Sequence, residues 1–189
     1  MTNKAPTPPE RNHAKGELPL MATQAIILAA ALSLGELLCC PLYAGIVPVA
    51  PLPWAAIAIL LAVGFSYIVG FALLWCAESF AYRMKRTVQP VVYAVTGAIG
   101  FAVWTVWVVL GIVNMITARA GLGVVSHATT VMVGINGALL GMVAFFLAFT
   151  LAPRLAKRMK TMVAVAAVTV LLAIAGGVIL AMVLQALNA

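Results

Sequence analysis

Glu36, Cys39 and Cys40 lie within about one helical turn of one another inside a long apolar run. A charged side chain at mid-span costs about 2.5–3.5 kcal/mol on insertion scales, so an acid there either serves a function or has a partner. Its functional reading is a carrier of protons or cations. The structural alternative is an interfacial acid, or a hydrogen bond to a neighbouring helix. Glu36 falls sixteen residues after Leu20, about 24 Å along a helix, which puts it near one turn from the outer boundary and within reach of water. The adjacent thiols of Cys39 and Cys40 suit a soft metal such as Cu(I) or zinc, or thiol exchange. Equally, cysteine packs as a small apolar residue.

Further polar residues fall toward the same side. Asn114 and Arg119 close one apolar segment, His127 opens the next, and Asn136 lies nine residues deeper. If these groups converge, Arg119 or His127 is the expected partner of Glu36, and a Glu/Cys/His metal site becomes possible. If they scatter around a bundle, no site forms, and the metal question stays open. No cofactor is expected. A haem held by two histidines is excluded because the other histidine is His13, in the polar N-terminal stretch. Trp104 and Trp107 at i and i+3 are expected on one helical face, lining a pocket, packed in the core or facing lipid. The chain has no Asp, and its four acids are Glu10, Glu17, Glu36 and Glu78, so paired-carboxylate chemistry has no basis and no enzymatic activity is expected.

The elements that position these residues follow from composition. The 189 residues are 65% hydrophobic and 8% charged, against roughly 25% charged residues in soluble domains. A bilayer core about 30 Å thick needs about 20 apolar residues in a helix. Five segments meet that length, at about 21–40, 54–77, 91–115, 128–151 and 162–184. The expected fold is all-α: a polytopic bundle of five transmembrane helices over residues 20–189, in the cell membrane, behind a disordered basic cytoplasmic tail over 1–19. That tail holds four prolines and too few large apolar residues to offset the entropy of ordering.

Charge sets the expected orientation. Of eleven Lys and Arg, ten fall on alternate connections: Lys4, Arg11 and Lys15 before the first span, Arg83, Lys85 and Arg86 after the second, and Arg154, Lys157, Arg158 and Lys160 after the fourth. Only Arg119 lies on the other side. Basic residues are retained in the cytoplasm, so the N-terminus is expected there and the C-terminus outside. The formal charge of +7 therefore reflects anchoring at a lipid surface, and no nucleic-acid partner is expected.

Local signals refine the picture. Pro90 opens the third helix, Ser126 caps the fourth, and Pro41 and Pro153 are expected to end the first and fourth. The stretch Pro41 to Pro53, with four prolines, is expected as an irregular hairpin. Gly134, Gly137 and Gly141 present a small-residue face that suits close packing within the bundle, a second copy or another membrane protein. Five spans with this orientation are similar in topology to the third subunit of haem-copper oxidases, but that family's expected His, Glu and Trp pattern is missing, and no family is assigned. Two functions remain open: a small transport or channel-like component for an ion or small solute, with Glu36 as the coupling residue, and a non-transporting membrane subunit, assembly factor or anchor. Either suits a homo-oligomer or a complex with a membrane protein partner.

Overall fold

A computed structural model describes residues 18–187, so most of the expected N-terminal tail lies outside the described residues. Among them the fold is entirely helical. Five helices are long and apolar enough to cross a membrane: α1 (Leu20–Tyr43), α2 (Pro51–Ala81), α3 (Gln89–Arg119), α4 (His127–Leu155) and α5 (Met159–Ala186). Each runs past the apolar segment that marks it in the sequence, because flanking polar and aromatic residues continue the helix into the interface.

The proline readings divide. Pro90 stands in the first turn of α3, where its missing N–H has no intrahelical partner to lose. Ser126 caps α4, its hydroxyl accepting from the Thr129 amide at 3.2 Å. Pro41 and Pro153 do not end their helices; each lies inside, in the last turn. A proline so close to a helix end forfeits one backbone hydrogen bond without interrupting the span. The hairpin expected between Pro41 and Pro53 is correspondingly shorter, since α1 continues to Tyr43 and α2 begins at Pro51 with prolines in its first turn.

Two short π-helical turns, Ser66–Gly70 in α2 and Thr105–Val109 in α3, went unmarked in the sequence. Each widens the helix by one residue locally and changes which face points inward beyond it. The first half of α2 packs on α1 and α5, and its second half packs on α3 and α1.

Small residues set the closest approach. α3 and α4 form the most extensive helix pair, followed by α1 with α2, α2 with α5 and α1 with α4. A Cβ at Gly97 would strike the carbonyl of Gly141, and one at Gly141 would strike that of Gly97. Gly137 accommodates Thr105, and Gly176 on α5 lies against the backbone of Ala56 on α2. These glycine faces are thus occupied inside the bundle. Gly97 and Gly141 also abut an aromatic cluster in which Phe65 meets Phe101 edge-on at 4.9 Å and lies 5.6 Å from Trp104. α5 is the least covered helix, with 17% of its most apolar window buried.

The bundle has two distinct ends. One gathers the start of α1, the end of α2, the start of α3 and the end of α4, and carries Arg83, Lys85, Arg86, Arg154, Lys157, Arg158 and Lys160. We call it the basic end. At the opposite end the α3–α4 connection turns through Gly121 and Gly123, whose φ of 74° and 79° lie in the left-handed region that glycine occupies without steric cost.

Candidate functional site

In the half of the bundle away from the basic end, α1 turns one polar stripe inward. Ser33, Glu36, Cys40 and Tyr43 are buried, and Cys39 is half-buried beside them. The spacing of three to four residues keeps them on neighbouring positions of one helical face. Glu36 is 2% exposed, and neither carboxyl oxygen has a hydrogen-bond partner. The expectation that it reaches water at the boundary is therefore not met. The helix extends well beyond it, and α1 is packed on three neighbours, α2, α4 and α5.

Asn136 on α4 joins this stripe. Its Oδ1 accepts from the Cys39 thiol at 3.3 Å. The Asn136 side chain lies beside Tyr43, and its Nδ2 and the Tyr43 hydroxyl both remain without a hydrogen-bond partner. Tyr43 in turn leans on Trp54 of α2, with ring centroids 5.3 Å apart, and the Trp54 Nε1 is a further buried donor without an acceptor. The result is a set of polar atoms in an apolar interior left unpaired: two carboxyl oxygens on Glu36, the Ser33 hydroxyl one turn before it, and O–H and N–H donors on Tyr43 and Asn136, with the Trp54 Nε1 beside Tyr43. Buried polar atoms normally find partners, and each that does not costs about 1–3 kcal/mol.

Of the residues singled out by sequence, the structure thus brings Glu36, Cys39 and Asn136 together. The rest are elsewhere. Cys40 donates to the Pro51 carbonyl at 3.2 Å, so the adjacent thiols point to different helices. Asn114 accepts from the Val125 amide at 3.0 Å and fastens the α3–α4 connection. Arg119 and His127 are exposed at the end of the bundle, and neither pairs with Glu36. Among the described residues no group of three or more His, Cys, Asp or Glu side chains is placed to hold a metal ion. Trp104 and Trp107 do not share a face: Trp104 packs inward on Phe65, whereas Trp107 is 79% exposed to the lipid side. The π-helical turn at Thr105 separates them and breaks the spacing on which the shared face depended.

Sequence reasoning missed Tyr43 and Trp54 as members of the cluster. The i, i+7 spacing of Glu36 and Tyr43 was the available signal. It also missed the basic end, which was expected to hold only anchors. A cleft of about 500 Å³ opens there between α1, α2, α3 and α4. Gln24, Glu78, Gln89, Tyr93 and Arg154 line it along with apolar neighbours.

Over the described residues the protein is all-helical, with five helices suited to crossing a membrane. Compared with known proteins, it matches no family model, no curated protein and no solved structure.

Proposed function

We propose that this protein is a small membrane transport component that carries a proton or a small cation, with Glu36 as the coupling group. One observation carries the reading: a carboxyl group buried to 2% exposure, in a bundle built to cross a membrane, with no partner on either oxygen. Such a group is stable in an apolar interior only when it holds a proton or when a cation or water supplies the missing interaction. Exchange between those conditions is what carriage requires. A carboxyl retained for structure alone would be expected to bond a neighbouring helix, as Asn136 does through Cys39.

The remaining parts fit this reading. Tyr43 and Asn136 supply unpartnered donors that can orient a water beside the carboxyl. Toward the basic end, Leu28 and Leu32 on α1 and Phe65 on α2 are fully buried and close the interior between Glu36 and the cleft. Passage therefore calls for a rearrangement at that level, where the π-helical turn of α2 places Gly70 against Leu28. The basic end would face the cytoplasm, because Lys and Arg are retained there during insertion, and the protein would reside in the cell membrane. No catalytic reaction is assigned.

A second reading has its own support. α5 leaves most of its apolar surface uncovered, as a helix would that seats a second copy or another membrane subunit. In that reading the protein is a non-transporting subunit or anchor.

The deciding experiment measures proton and monovalent-cation flux in proteoliposomes containing the full chain, comparing wild type with Glu36→Gln. Flux in wild type that disappears in the variant supports carriage. Absence of flux from wild type, together with a membrane protein that co-purifies in fixed ratio, overturns it in favour of the second reading.

A further inference from the structure

The cleft at the basic end is separate from the Glu36 cluster, and its lining combines features that the proposed carriage does not use. Its volume of about 500 Å³ lies within the roughly 300–1,000 Å³ of small-molecule sites. Gln24 is 3% exposed and lines it, and its Oε1 has no donor. An amide oxygen held in an apolar wall without a partner calls for an N–H or O–H from a ligand. Glu78 and Arg154 also line the cleft, which therefore contains a carboxylate and a guanidinium. The Tyr93 hydroxyl stands beside the Gln24 amide, and apolar surface from Leu20 and Phe149 completes the cleft.

This chemistry selects among ligands. A simple anion would satisfy Arg154 and leave Glu78 and the Gln24 oxygen facing negative charge. A simple cation would do the reverse. A ligand carrying both an ammonium and a phosphate satisfies all three, with the ammonium toward Glu78 and Gln24 Oε1 and the phosphate toward the Arg154 fork. The location adds a further element, since the cleft lies where the helix ends emerge among basic residues, at the depth of lipid headgroups.

We propose that this cleft binds a phosphoethanolamine-type zwitterion. The same chemistry is carried by the headgroup of phosphatidylethanolamine and by free phosphoethanolamine. The lipid would also lay its acyl chains along the apolar wall.

The test uses the full chain, delipidated in detergent and mixed with equal amounts of phosphatidylethanolamine and phosphatidylglycerol of identical acyl chains, with retained lipid measured by native mass spectrometry. A parallel titration uses soluble phosphoethanolamine. Preferential retention of phosphatidylethanolamine without binding of the soluble compound assigns the lipid source; comparable binding of the soluble compound assigns the free one. Either supports the site. Glu78→Gln and Gln24→Leu should each reduce the preference for the amine headgroup roughly tenfold, and Arg154→Gln should reduce retention of both lipids by a similar factor, as expected for loss of a charge-assisted hydrogen bond. Glu78 and Arg154 are exposed, so their replacement leaves packing intact, and an unchanged thermal transition verifies this. Equal retention of the two lipids with no binding of the soluble compound overturns the proposal, as does a preference that all three variants leave untouched.

Discussion

The Cys39 thiol on α1 donates a hydrogen bond to the side-chain oxygen of Asn136 on α4 at 3.3 Å, one turn beyond the unpartnered carboxyl of Glu36. The contact joins residues 97 apart in sequence and fixes how α4 faces the polar stripe of α1. It also leaves the Asn136 amide nitrogen free in the interior. Held on one side and open on the other, Asn136 can turn a donor toward an occupant of the cluster without having to be ordered first.

That contact is expected to be modest in energy. Hydrogen bonds between membrane helices average about 0.6 kcal/mol in double-mutant cycles, and a thiol is a weak donor. A cycle of Cys39→Ala and Asn136→Leu, read by unfolding of the purified protein, should give a coupling of about that size. A coupling well above about 2 kcal/mol would mean that the pair supports the fold rather than the cluster.

Replacing Glu36 should separate stability from function. An unpartnered buried polar group costs about 1–3 kcal/mol, and an apolar residue of similar volume removes that cost. Glu36→Leu is therefore expected to raise the unfolding temperature while flux is lost. A lowered unfolding temperature would show that the carboxyl has a stabilising partner in the membrane.

The α3–α4 contact should be intolerant of a single methyl group. At Gly141 the added Cβ meets backbone of Gly97, which cannot rotate away. Gly141→Ala is expected to destabilise by about 1–3 kcal/mol, the usual range for overpacking. Gly111→Ala, where nothing lies within 4 Å, should be neutral or slightly stabilising through helix propensity. Thermal unfolding of the two variants side by side checks the difference, and equal effects would contradict the packing described.

Orientation is an expectation from charge alone and has its own measurement. A reporter that functions only outside the cytoplasm should be active when fused after Ala189 and inactive when inserted between Arg83 and Arg86. The opposite pattern would reverse the bundle and place the cleft at the outer surface.

The five helices were legible because two independent quantities, apolar length and the placement of Lys and Arg, are linear properties of the chain. Ser126 was legible for a similar reason, since a cap acts on residues three positions away. What escaped depends on tertiary packing. Pro41 reads as a helix end by local rules, yet the helix continues to Tyr43. Glu36 was recognised as unusual, but its depth depends on how far α1 extends and on the three helices around it, neither of which its neighbours in sequence encode. Arg119 and His127 were plausible partners by depth and were excluded by where they point. The cleft was invisible because Gln24, Glu78 and Arg154 come from three helices and none belongs to a recognisable motif.

The π-helical turn at Ser66–Gly70 makes α2 two reading frames joined by a single extra residue. Removing one residue there would draw the turn into plain α-helix and keep Phe71–Ala81 in phase with Pro51–Phe65, whereas removing one within Pro51–Phe65 would leave the span's length and hydropathy ample yet turn every side chain beyond it by about 100°. Leu74 and Ala77, both fully buried, would rotate away from their seats, and Glu78 would leave the cleft. Single-residue deletions scanned along α2 should therefore be best tolerated within Ser66–Gly70 and harmful before it, for a reason that composition cannot register: the helix would still cross the membrane, but out of phase with its partners.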